Sequence, residues 1–205
     1  MSQMMPHLES YFRGFVPRRD ALLLELEREA QTEGIPIIGP VVGELLFILT
    51  RATGAVNVLE LGTATGYSAI HLARGCLPAL GRVTTLELDE SMAARARTNF
   101  VRAGLARHIE VRVGEALKLM PEISGPFDFI FMDIDKESYL PALPHCRRLL
   151  KVGGLLFTDN VGFAGAAPFN HEIFVSEDWC AVNLLGFLPF HSPEQDGLSL
   201  ALRVR

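Results

Sequence analysis

The chain has 205 residues, 49% apolar and 21% charged, enough for one full α/β domain and short of two. A net charge of −5 argues against a broad nucleic-acid footprint and leaves only local basic pairs such as Arg18-Arg19 and Arg147-Arg148. Three widely separated cysteines with no C-x-x-C argue against zinc, and no apolar run approaches the roughly 20 residues of a membrane span. With no signal-peptide pattern at the N-terminus, the expected setting is a reducing cytoplasm.

Residues Met1 to Gly34 read as helical, with a short amphipathic piece over His7–Phe15, a break at Pro17 and a second helix over Arg19–Gln31. Gly34-Ile35-Pro36 stops that helix, and Val41–Thr53 forms another. This segment, residues 1–54, precedes the first strand, so it packs as an added layer, as a lid or against a partner; the pattern leaves all three open. From residue 55 onward the chain alternates. Strands are expected over Val56–Leu61, Val83–Leu88, Ile109–Val113, Phe127–Asp133 and Leu155–Thr158, with helices over Tyr67–Arg74, Ser91–Ala103, Ala116–Met120 and Tyr139–Leu150. That alternation predicts a single α/β domain spanning 1–205, with a mostly parallel sheet covered on both faces. Two final apolar runs, Leu184–Phe190 and Leu198–Val204, flank Asp196-Gly197 and read as an added antiparallel hairpin turning at that pair.

The organising stretch is VLELGTATGYSAIHLA, a buried strand running into a glycine turn and then a helix. Its glycines, Gly62 and Gly66, are spaced G-x-x-x-G with an acid, Glu60, ahead of them. That departs from the dinucleotide G-x-G-x-x-G and suits a ligand carrying positive charge. In open α/β sheets ligands bind beyond the carboxyl ends of the strands. At those ends stand Glu60, Glu87, Glu115-Ala116, Asp133-Ile134-Asp135-Lys136 and Asp159-Asn160. One such acid is ordinarily a helix cap; five in succession exceed what capping explains. Glu87 falls about 20 residues after the glycine turn, where a nucleoside site grips ribose hydroxyls. Asp133, Asp159 and Asn160 are hard oxygen donors suited to Mg²⁺, with Mn²⁺ or Ca²⁺ also accommodated, although Asp159-Asn160 equally makes an Asx turn. Lys136 either neutralises these acids or serves as a general base.

These motifs, together with TTLELDE, FDFIFMDIDKESYLPAL, GGLLFTDNVGFAG and DGLSLALR, resemble the cation-dependent, S-adenosylmethionine-dependent O-methyltransferases of the catechol and caffeoyl-CoA type and their small bacterial members. The resemblance runs from about Tyr11 to the C-terminus. It implies a Rossmann-like fold with a seven-stranded sheet and a homodimer. Glu60, Gly62, Thr63, Gly66, Tyr67 and Ser68 would surround the methionine part of S-adenosylmethionine, Glu87 the ribose, and Glu115 and Ala116 the adenine. Asp133 would border the cofactor and, with Asp159 and Asn160, hold the cation, and Lys136 would be the base. The implied acceptor is a small catechol-like aromatic, walled by Phe163, Phe169, Phe174 and Trp179, which serve equally as core. A shortened segment after Asn160 departs from the family pattern on the acceptor side. The readings kept beside this one are methylation of a tRNA hydroxyuridine, a nicotinamide oxidoreductase, and a non-catalytic S-adenosylmethionine-binding module.

Overall fold

A computed structural model describes residues 3–205; the helical expectation for residues 1 and 2 lies outside them. Seven strands form one sheet in the order β3-β2-β1-β4-β5-β7-β6. They are β1 (Asn57–Leu61), β2 (Arg82–Glu87), β3 (Ile109–Val113), β4 (Phe127–Met132), β5 (Leu150–Thr158), β6 (Trp179–Phe187) and β7 (Gln195–Arg203). The first five pair in parallel, and β7 runs antiparallel to both β5 and β6. Strand order reverses between β1 and β4. Crossovers leave β1 for one side and β4 for the other, so a crevice opens at the carboxyl ends of these two neighbours.

Burial explains why the central strands are unbroken apolar runs. Val58, Leu59 and Leu61 of β1 and Phe129, Ile130 and Phe131 of β4 are fully buried because helices cover both faces. One core contains Val58, Phe129, Phe131 and Phe157 with Ile70 and Leu72 of α4 (Tyr67–Cys76); the other contains Leu59, Leu61, Ile130 and Leu156 with Leu143 and Cys146 of α7 (Tyr139–Leu149). The N-terminal segment joins the first core. Leu23 and Leu26 of α2 (Ala21–Glu33) and Val42 and Leu46 of α3 (Gly39–Ala52) pack there, which makes this segment an added layer. The short α1 (Leu8–Arg13) buries no residue and is tied to the body by an Arg13–Glu194 ion pair.

The hairpin corrects the expectation in detail. Asp196-Gly197 is not a turn: both residues lie inside β7, opposite Gly186 and Leu185, and the connection occupies residues 188–194. The reason is tertiary. The buried Asp196 carboxylate accepts hydrogen bonds from Gly162 N and Asn160 Nδ2, which draws the pair into the sheet. Strand β5 also starts five residues earlier than expected, because Leu150 pairs with Phe127 before a register shift.

Candidate active site

The carboxyl ends of β1, β2, β4 and β5 open into a cavity of about 410 Å³. Its lining includes Gly62, Thr63, Tyr67, Ser68, Glu87, Glu115, Ala116, Asp133, Lys136, Asp159 and Asn160, so the fold gathers eleven of the thirteen expected residues. Gly66 and Glu60 lie elsewhere. A side chain on Gly66 would strike the Phe100 ring, so this glycine lets the start of α4 pack against the helix Glu90–Arg102. Glu60 is fully buried beneath the floor, where Thr85 Oγ1 donates to its Oε2 at 2.6 Å.

The turn after β1 is shaped by close approach. Gly62 has φ +95°, and a Cβ there would lie 2.0 Å from the Asp133 carbonyl oxygen, so only glycine lets the ends of β1 and β4 meet. Glu87 holds the same turn from the other side: its Oε2 accepts from Thr63 N at 3.1 Å and Ala64 N at 2.7 Å, and its Oε1 accepts from Asp89 N at 2.9 Å. Burial pushes the Glu60 carboxyl up to about 8, against the pull of Ser68 and Thr85, and the nearby Asp133 and Glu87 charges add to the rise. Its Oε1 is buried with no hydrogen-bond partner. A buried carboxyl with an open acceptor next to a glycine turn is suited to a cationic ligand group, which would supply the missing charge.

The other half of the cavity is built around three polar groups and what restrains them. Lys136 Nζ donates to Asp133 Oδ1 at 2.8 Å and lies 5.4 Å from the centre of the Tyr139 ring. Tyr139 Oη in turn donates to the Asp159 carbonyl at 2.9 Å. Asn160 adopts φ +50° and donates its Nδ2 to Asp196 Oδ2 at 2.6 Å and to Ser192 O at 3.3 Å. Both partners are acceptors, which fixes the amide orientation and leaves Oδ1 as the free end. Asp159 is 1% exposed, and His191 Nε2 lies 2.8 and 3.1 Å from its two carboxylate oxygens. Burial lowers the His191 pKa, but the hydrogen bond and charge of Asp159 outweigh it and raise it above the ordinary imidazole value.

As donors, Asp133, Asp159 and Asn160 have the chemistry a hard divalent cation prefers. As placed, each carboxylate already has a protein partner, Lys136 for Asp133 and His191 for Asp159. The arrangement therefore does not fit a divalent cation as it stands.

The aromatic wall is a second correction. Phe169 packs edge-on against Tyr139 in the core and Trp179 is 7% exposed there, while Phe163 and Phe174 face solvent; none lines the cavity. On the acceptor side the aromatic that approaches the site is Phe190. It lines an adjoining cavity of about 860 Å³ with Arg19, Leu24, Glu27, Arg28 and His191, and the two cavities share Ile35, Pro36, Ile37 and Ser192. His191, Asp196 and Phe190 are the site residues that sequence reasoning missed. The only local signal was a histidine shortly before Asp196-Gly197, and no spacing rule links it to Asp159, 32 residues away.

Comparison with known proteins agrees with this geometry. A family model described as O-methyltransferase matches residues 18–173. A catechol O-methyltransferase of Niastella koreensis is 37% identical over 166 residues, covering 78% of this chain and 75% of that protein. A catechol O-methyltransferase of Mycobacterium tuberculosis is 45% identical over 120 residues, covering 58% of this chain and 54% of the other. Among solved structures, an O-methyltransferase from Bacillus cereus in complex with SAH is 30% identical with a TM-score of 0.84, covering 96% of each chain. None of these comparisons supports a tRNA methyltransferase or a nicotinamide oxidoreductase.

Proposed function

Since the chain belongs to the O-methyltransferase family, we propose that it transfers the methyl group of S-adenosylmethionine to a hydroxyl of a small, catechol-like aromatic acceptor. The observation that carries this reading is one crevice holding both the Gly62–Glu87 turn and the Lys136–Asp133 pair. S-adenosylmethionine supplies a methyl group on a sulfonium, an electrophile that leaves a neutral thioether once the new O–C bond forms.

The chain's own groups do the rest. Gly62 leaves room for the ligand backbone, Thr63, Tyr67 and Ser68 line the cavity beside it for the amino-acid part, and the partly exposed Glu87 suits ribose hydroxyls. Glu115 and Ala116 line the far end with Leu86, Leu88 and Met92, an apolar slot for a planar base. On the acceptor side, Ile35, Ile37 and Phe190 offer a face for an aromatic ring. Lys136 serves as the base for the acceptor's hydroxyl proton, with Asp133, to which its Nζ is hydrogen-bonded, as its partner. The oxygen then attacks in line, and the rate comes mainly from holding the two reactants in register. This reading includes a homodimer in a reducing cytoplasm. All three cysteines are free, and Leu24 and Phe12 stay exposed on the N-terminal helices. Light scattering that finds only monomer would remove the dimer.

The test of the function is release of S-adenosylhomocysteine with a panel of catechols and matched monophenols. Transfer to catechols above monophenols is the expected result. Binding of S-adenosylmethionine without transfer to any catechol would reject the acceptor class.

A further inference from the structure

His191 belongs to the loop joining β6 and β7, and its backbone is strongly constrained. Its N–H donates to Leu188 O at 2.9 Å, Phe190 N donates to Glu194 Oε1 at 2.9 Å, and the Arg19 guanidinium sits 5.7 Å from the centre of the Phe190 ring. A Cβ on Gly39 would lie 2.7–2.8 Å from the backbone of Phe190 and His191, so the loop rests directly on the start of α3. The imidazole is thus delivered to Asp159 by a fixed frame.

The hydrogen bonds fix its orientation. His191 Nδ1 lies 2.6 Å from Pro193 O, and Nε2 faces both Asp159 carboxylate oxygens at 2.8 and 3.1 Å. The imidazole thus covers both oxygens of a carboxylate that is 1% exposed. Lys136 Nζ covers Asp133 Oδ1 in the same way. A divalent cation at these oxygens would have to displace both protein partners, and would leave the buried imidazole without the group it faces.

We propose that His191 takes the place of the divalent cation at Asp159, so that this chain transfers methyl groups without a bound metal. Only the turnover arm of the test rests on the catechol reading; the binding arm stands without it. The experiment titrates Mn²⁺ into the full-length protein and follows the free-ion paramagnetic signal, for the wild type, His191→Ala, and His191→Ala combined with Asp133→Asn. Wild type is expected to leave the Mn²⁺ signal unchanged at equimolar protein. His191→Ala should bind at least about tenfold more tightly, and the added Asp133→Asn should abolish that gain. In parallel, wild-type turnover of a catechol with EDTA should stay within about twofold of that with Mg²⁺. Wild type that binds Mn²⁺ as tightly as His191→Ala, or that loses turnover in EDTA and regains it with Mg²⁺, overturns the proposal. If His191→Ala does not fold, Asp133→Asn alone decides: tight wild-type Mn²⁺ binding that this change removes overturns the proposal, and an unchanged free-ion signal supports it. No transfer with either Mg²⁺ or EDTA rejects the acceptor reading instead, and the Mn²⁺ arm then judges this proposal by itself.

Discussion

The two halves of the crevice are built in opposite ways. On the cofactor side, the groups come from short stretches, Glu60–Ser68 and Glu87, on neighbouring parallel strands, with backbone amides of the turn held by one carboxylate. On the acceptor side, Lys136 and Asp133 pair locally, but the other groups are held by partners from distant segments: Asp159 by His191, Asn160 by Asp196, and Asp196 again by Gly162 N. The first half is a local solution, repeated wherever a strand, a glycine turn and a helix follow one another. The second depends on where a hairpin loop lands, so it can change while the cofactor side stays the same.

The largest effect expected from separating these halves comes from Lys136→Met. Turnover should fall by about 10²–10⁴ while S-adenosylhomocysteine binding, measured by calorimetry, stays nearly constant. Parallel losses in both would place Lys136 with the cofactor. Next is Glu60→Gln, which probes the cofactor side alone. The unfolded carboxyl releases its proton near the ordinary value of 4.5 and the folded one near 8, so the unfolded chain binds fewer protons between those values. The ligand-free protein therefore loses stability as pH rises through that window, by up to about 5 kcal/mol in order of magnitude. Glu60→Gln should flatten that slope in urea melts at pH 5 and 8 and still weaken S-adenosylmethionine binding by at least about tenfold. A slope that persists in the variant would mean another group carries it. The smallest effect is expected from Asp196→Ala, at about 2 kcal/mol of stability, because Asn160 Nδ2 loses its shortest bond and Gly162 N its acceptor. The acceptor KM should rise while S-adenosylhomocysteine affinity is unchanged; a loss of cofactor affinity would show that the halves are coupled.

The same contrast governs what was readable in advance. Strands such as Ile109–Val113 and helices such as the one starting at Tyr67 follow from apolar periodicity, and the crevice-facing acids follow from being the residues just past each strand. For Phe163, Phe169, Phe174 and Trp179 the pattern leaves wall and core open, since nearness in sequence to Asp159 says nothing about which face of α8 (Ala167–Val175) or β6 meets the site; Phe169 and Trp179 are core, and Phe163 and Phe174 face solvent. Asp196-Gly197 was misread as a turn for a related reason: its composition suits one, but a buried carboxylate with amide donors around it stabilises extended pairing there instead.

The sequence by itself determined the mostly parallel sheet, the glycine turn, and the identity of the acids at the strand ends. These depend on steric freedom, burial and hydrogen bonding among residues close in the chain or in adjacent parallel strands. Tertiary structure alone decided that the N-terminal helices are a packed layer, that Phe190 and not Phe163 approaches the cavity, and that His191 lies against Asp159. Each of these depends on contacts between segments far apart in the chain, whose meeting is set by packing of the whole sheet and carries no signature in local spacing.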